Sequence, residues 1–213
     1  MEANMQKILA KADRRIKMKV FTGHFVTPHS HITRYLDMTT LKTRASEASA
    51  VAETLAQRYT MQTIVDTIVC LDNTEVIGAY LAAELTKTGI VSMNAHQTIY
   101  VIKPEIISGQ IVFRDNYKPM LEKKNVFILM GTASTGESLE NCYHSVIYHG
   151  GKVAGISAVF SAITKMDGIP IESIFSTQDI PNYASHKPNE CPLCKQGEPI
   201  TALVNGYGYS KLQ

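Results

Sequence analysis

One stretch constrains the chain more than any other: Asn125 to Ser138, NVFILMGTASTGES, where an apolar run stops at Gly131 and small hydroxyl residues lead into a helical pattern. Val126 to Met130 is an uninterrupted apolar segment of the kind that forms a parallel strand covered on both faces. Thr132, Ala133, Ser134, Thr135 and Ser138 then surround Gly136, so the stretch reads as strand, loop, helix. In such a turn backbone N–H groups, hydroxyls and a helix N-terminus converge on one point, which makes a cradle for a phosphate. A bulky residue at Gly136 is expected to obstruct the approach of that backbone to its anion. The Walker loop is excluded, because no Lys follows a second Gly at the required spacing.

At 213 residues the chain is long enough for one α/β domain with a full core. A net charge of +2 with 19% charged residues gives no electrostatic footprint for nucleic acid. No apolar stretch reaches the roughly 18 residues of a membrane span, and the N-terminus has no apolar signal core, so a cytoplasmic protein is expected. The basic run Lys11 to Lys19 is expected on the solvated face of a first helix, Ala3 to Lys19, whose apolar residues Met5, Ile8, Leu9, Ala12 and Ile16 recur at helical spacing.

Val20 to Met38 reads as a hairpin, Ser46 to Tyr59 as a helix, Ile64 to Leu71 as a second buried strand and Val76 to Thr86 as the helix after it. Between that strand and helix lies the acidic turn Asp72-Asn73-Thr74-Glu75, at the sheet edge where ligands bind in open α/β folds. Gln97 to Ile102 is a further strand. The piece from Lys103 to Lys124 carries Ile106, Ile107, Ile111, Val112 and Phe113, which favour a β-hairpin packed on the body or on a partner. Ser138 to His149 forms a helix ended by Gly150-Gly151, and Lys152 to Ala162 supplies the next strand, so the sheet is parallel with right-handed crossovers.

Ser134-Thr135-Gly136-Glu137-Ser138 resembles the second half of the phosphoribosyl diphosphate (PRPP) loop of type I phosphoribosyltransferases, [ST]-T-G-x-[ST]. Phe21, Gly23, Ser30, Tyr35 and Asp37 resemble the N-terminal hairpin of the orotate branch, and Cys191 to Ile200, CPLCKQGEPI, fits the tail C-P-L-C-x-x-G-x-P-[IL] of that branch. The resemblance implies a central parallel sheet flanked by helices. It also implies a small hood made by an N-terminal helix and hairpin (1–45) and a C-terminal tail (176–213) around a core (46–175), all one domain over 1–213. It further implies transfer of ribose 5-phosphate from PRPP to a nucleobase, normally aided by Mg²⁺, with Thr132, Ala133, Ser134, Thr135, Gly136 and Ser138 at the 5-phosphate. Asp72, Asn73 and Thr74 then stand at the pyrophosphate turn, Lys103 is the catalytic candidate approaching pyrophosphate, and a homodimer forms through the 103–124 hairpin.

Three features depart from that pattern. The acidic pair that holds ribose hydroxyls falls on Met130 and Gly131, the pyrophosphate turn lacks its glycines and carries Asp72 and Glu75, whose like charges would repel a pyrophosphate, and Phe160-Ser161-Ala162 stand where an Asp-Arg pair grips orotate. Together they open a second reading, a non-catalytic binder of PRPP or a nucleoside monophosphate acting as sensor or partner subunit. For Cys191 and Cys194, zinc asks for four ligands, and only His186 lies near enough in sequence to add a third. A buried, reduced pair in a tight turn is the first reading, zinc is the alternative, and no metal site is assigned. His24, His29 and His31 cluster in the hairpin, where they could bind metal or phosphate, and exposed turn residues are the first reading of them.

Overall fold

The computed structural model describes residues 4–87, 92–95 and 97–212. Its centre is a six-stranded sheet. In chain order the elements are β1 (Met5–Leu9), β2 (Lys17–Val26), β3 (His31–Asp37), α1 (Thr39–Thr43), α2 (Ala45–Ala56), β4 (Thr67–Cys70), α3 (Glu75–Leu85) and β5 (Tyr100–Ile102). Then come β6 (Glu105–Ile107), β7 (Gln110–Val112), β8 (Asn125–Ala133), α4 (Glu137–Tyr148), β9 (Lys152–Ser161), β10 (Lys165–Met166) and β11 (Ile169–Ser176). The tail adds β12 (Ser185–His186), α5 (Pro192–Lys195), β13 (Ala202–Asn205) and β14 (Gly208–Lys211). The chain is therefore an α/β protein.

The central sheet has the order β10-β11-β9-β8-β4-β5, parallel except for the short β10. Alternate side chains of the two innermost strands enter opposite cores, as the pleat requires. Ile68, Cys70, Phe127 and Leu129 pack under α2 and α3, whereas Val69, Leu71, Val126, Ile128 and Met130 pack under α4. Continuous apolar text in β4 and β8 thus reflects a sheet with helices on both faces. From β4 the chain crosses through α3 to β5 on one side, and from β8 it crosses through α4 to β9 on the other. The strand order reverses between β4 and β8, and a crevice opens at their carboxyl ends.

The second sheet, β12-β3-β2-β13-β14 with β1 also paired to β2, is the hood. Here the expected first helix is corrected. Met5–Leu9 pairs antiparallel with Lys17–Phe21, and the turn between them is held by the Arg15 amide, which donates to Asp13 Oδ1 at 2.8 Å. The period-two text Lys17-Met18-Lys19-Val20, with Met18 and Val20 buried, is the strand signal that outweighs the helical spacing. Ala3, where that helix was to begin, lies outside the described residues. The hairpin β2–β3 and the helices α2, α3 and α4 stand where the sequence places them, each within a few residues, whereas the expected 103–124 hairpin is shorter: β6–β7 ends at Val112, and Asp115–Met120 is a 3-10 helix.

Two further expectations are corrected in the hood. His24 and His31 are buried, at 3% and 9% exposure, and of the three only His29 is exposed. Cys191 is buried but Cys194 is exposed, both thiols are free, and their segment is a single helical turn, α5.

Candidate active site

The loop after β8 and the turn after β4 face each other across a cleft of about 510 Å³, whose lining includes Asp72, Asn73, Lys103 and residues 132–139. β8 runs on through Thr132 and Ala133, and Gly136 then takes a left-handed conformation (φ 88°) directly before α4. Gly136, the N-cap of α4, makes no side-chain cap, so first-turn amides of the helix are left for another partner, and Thr135 to Ser138 line the cleft. An anion there gains from amides, hydroxyls and the helix end together.

The expected reason for Gly136 needs correction. A Cβ there would meet Ile163 Cδ1 at 2.8 Å and Met166 Cε at 3.2 Å, so it points into packing behind the loop. Glycine is required by the left-handed turn and this contact, and the anion side is not what excludes a larger residue.

The acidic turn is arranged differently from its text. Asp72 and Asn73 both have positive φ, 56° and 60°, a conformation that Asp and Asn adopt at lower cost than other non-glycine residues. These two residues do for the turn what paired glycines would. Asp72 Oδ2 accepts from the Thr132 amide at 3.2 Å, and Lys42 Nζ donates to the Asp72 carbonyl at 2.8 Å and the Gly206 carbonyl at 2.7 Å. Burial pushes the Asp72 carboxyl above the usual range, while the Thr132 amide and the Lys42 charge oppose that. Burial also lowers Lys42. Thr74 is buried, its hydroxyl donating to Leu71 O at 2.8 Å, so it tightens the turn and offers nothing to a ligand.

Lys103 follows β5 and reaches the same turn. Its ammonium donates to Glu75 Oε1 at 2.7 Å and Asn73 Oδ1 at 2.6 Å, and it lies 5.8 Å from the Tyr207 ring. Glu75 is the main cause of its raised pKa. The two carboxylates expected to repel a pyrophosphate are thus engaged, Asp72 with an amide and Glu75 with Lys103.

Sequence reasoning missed three participants. Lys42 carries no motif. Tyr183 comes from the tail, and its hydroxyl lies 2.7 Å from Ser134 Oγ. His29 reaches over from the hood to Glu137, 3.0 Å away. Gly206, Tyr207 and Gly208 also line the cleft, and the Gly-Tyr-Gly-Tyr text at 206–209 was the available signal for them, since it marks a turn.

No protein-family model matches the sequence, and no curated protein matches it. Solved structures do resemble it. Adenine phosphoribosyltransferase from Trypanosoma brucei, in complex with AMP, pyrophosphate and ribose-5-phosphate, is similar over 90% of this chain and 81% of its own, with 12% identity and a TM-score of 0.52. Adenine phosphoribosyltransferase from Thermoanaerobacter pseudethanolicus is similar over 82% of this chain and 96% of its own, with 18% identity and a TM-score of 0.50. UMP synthase from Leishmania donovani is similar over 76% of this chain and 34% of its own, with 18% identity and a TM-score of 0.53. The chain has the phosphoribosyltransferase fold. No described helix is long and apolar enough to cross a membrane.

Proposed function

We propose that this chain is a phosphoribosyltransferase of the orotate-like branch, transferring ribose 5-phosphate from PRPP to a nucleobase with release of pyrophosphate. One observation carries the reading: the 132–138 loop, Asp72, Asn73 and Lys103 face one cleft at the point where the strand order reverses. The loop amides and the hydroxyls of Thr132, Thr135 and Ser138 hold the 5-phosphate, with Ala133 and Gly136 shaping the turn. Ser134, already bonded to Tyr183, joins the loop to the hood. Lys103 stabilises negative charge on the leaving pyrophosphate, in competition with Glu75, and the hood limits water at the reacting carbon. The tail text from Cys191 to Ile200 supports the branch.

The residues of the cleft do not fit a Mg²⁺ ion. Met130 and Gly131 bring no oxygen side chain, and the nearest carboxylates are engaged as described. No step is routed through a metal.

A second reading, binding without turnover, is favoured by a specific observation: the ribose-binding acids are absent, and Asp72 crowds the place beside Gly131 where one would stand. Incubation of the purified protein with PRPP, Mg²⁺ and a panel of bases, with pyrophosphate release measured beside calorimetry of PRPP and nucleoside monophosphates, separates the two. Turnover supports the transferase, monophosphate binding alone supports the binder, and neither overturns both.

The β6–β7 hairpin, with Ile106 60% exposed, is the surface through which we propose that two copies associate. Ile106→Asp is then expected to halve the mass seen by light scattering; an unchanged mass rejects this contact.

A further inference from the structure

A second cluster of reactive side chains lies in the hood, built from both ends of the chain. His24 comes from β2, His31 from β3, and Cys191 and Cys194 from α5 and the residue before it. The β2–β3 register shifts between Thr22 and Phe25, so His24 sits in a β-bulge, a device that re-aims a side chain. His24 Nε2 lies 3.0 Å from His31 Nδ1 and 3.6 Å from each of the two sulfurs, and Cys194 Sγ lies 3.2 Å from His31 Nδ1. All four ligand atoms are within 4.8 Å of one another.

We propose that His24, His31, Cys191 and Cys194 form a Cys2His2 site for a structural Zn²⁺ ion that ties the C-terminal tail to the N-terminal hairpin. A tetrahedral zinc, with Zn–S about 2.3 Å and Zn–N about 2.0 Å, sets S···N edges of about 3.6 Å and N···N edges of about 3.3 Å. Four of the cluster's edges, at 3.0, 3.2, 3.6 and 3.6 Å, come close to that size before any ion is added, and the others lie within 4.8 Å. His24 Nδ1 lies 2.9 Å from the Glu198 carbonyl, which can only accept, so Nδ1 carries the proton and the Nε2 lone pair faces the cluster. This is the outer-shell bond that orients a metal-bound imidazole. Two thiolates and two neutral imidazoles balance the charge of one divalent ion, with both thiol protons released to solvent. Tetrahedral S2N2 donors select zinc among common divalent ions, and four protein ligands leave no open position for catalysis.

The spacing explains why the site was hidden in the text. His24 and Cys191 are 167 residues apart, and no local C-x-x-C…H pattern joins them. His186, the nearest histidine in sequence, pairs in register with His31 but is not in the cluster. The clip also bears on the cleft, because the Thr201 amide donates to the His24 carbonyl at 2.7 Å and Ala202 pairs with Phe25 directly beside it. From there the tail runs to Gly206 and Tyr207 at the cleft wall.

The test uses the full chain, expressed and dialysed, with zinc measured by plasma mass spectrometry. About one zinc per chain is expected, and Co²⁺ loaded in its place is expected to give the visible absorption of tetrahedral cobalt with sulfur charge-transfer bands. Cys194→Ser, at an exposed position, is expected to keep its circular dichroism and lose the metal to a competing chelator; cobalt titration of the unaltered chain decides should this variant not fold. Metal content near zero with free thiols and no cobalt bands overturns the proposal. So does zinc retained in full by both Cys194→Ser and His31→Gln. Metal content is independent of nucleotide binding and turnover, so failure of one reading leaves the other standing.

Discussion

The Asp72 carboxyl stands where a side chain on Gly131 would have to go: a Cβ built on Gly131 would lie 3.1 Å from Asp72 Cβ and 3.4 Å from its Oδ2. The two positions, on neighbouring strand ends, have room for one acid between them. Gly131→Asp is therefore expected to destabilise the fold by about 1–3 kcal/mol, through overpacking and two adjacent carboxylates. Gly131→Asp combined with Asp72→Gly is expected to recover part of that loss. Urea denaturation of both variants beside the unaltered protein measures it, and a neutral single substitution would contradict the crowding.

The phosphate reading rests on few groups, so each should be visible. Thr135→Ala removes an exposed cleft hydroxyl and is expected to weaken nucleoside monophosphate binding about tenfold, the size of one hydrogen bond to a charged group. Stability should not change beyond a few tenths of a kcal/mol, as for ordinary surface positions. Calorimetry with the monophosphate and with the unphosphorylated nucleoside checks this. Equal loss for both ligands would move the phosphate elsewhere.

Lys103 separates donor chemistry from phosphate holding. Lys103→Met is expected to lower kcat/KM for PRPP about 100-fold, as loss of a charge-stabilising donor does, and to leave monophosphate binding unchanged. Glu75→Gln frees the ammonium and is expected to act in the opposite direction, raising affinity for pyrophosphate. Steady-state kinetics and pyrophosphate calorimetry provide the readout; loss of monophosphate binding in Lys103→Met would place Lys103 at the 5-phosphate instead.

Asp72 should leave a mark on stability against pH. Its carboxyl pKa is raised in the fold above the ordinary aspartate value of 3.8, chiefly by burial. A raised acid binds its proton more tightly folded than unfolded, so its contribution is fully present below the unfolded pKa and is lost as pH rises through the folded one. Relative to Asp72→Asn, the unaltered protein is expected to lose stability as pH rises above about 4. Denaturant midpoints of both proteins across that range test the sign, and a difference moving the other way would mean that Lys42 and the Thr132 amide outweigh burial.

The central sheet was legible because a buried parallel strand has one appearance in sequence: Val126 to Met130 and Ile64 to Leu71 have few alternatives inside an α/β chain. The 132–138 loop was legible for the same reason, as small residues between a strand and a helix. The N-terminus was not, because Met5, Ile8, Leu9, Ala12 and Ile16 fit a helix while the turn at Asp13 and the alternation after it fit a hairpin, and the partner strands that decide between them lie elsewhere. Asp72 misled through charge. Its text reads as repulsive to phosphate, whereas the fold turns the carboxyl onto the Thr132 amide. Lys42, Tyr183 and the His24–His31 pair meet their partners across 30 to 174 residues, distances at which spacing carries no signal.

Lys42 is bonded at once to the turn after β4 and to the segment before β14, two pieces of chain 134 positions distant in the numbering (206 less 72). Neither can shift by an ångström without stretching a bond to the same ammonium. Floor and lid of the crevice are fastened to one peg, and whatever enters must fit the opening that the peg leaves.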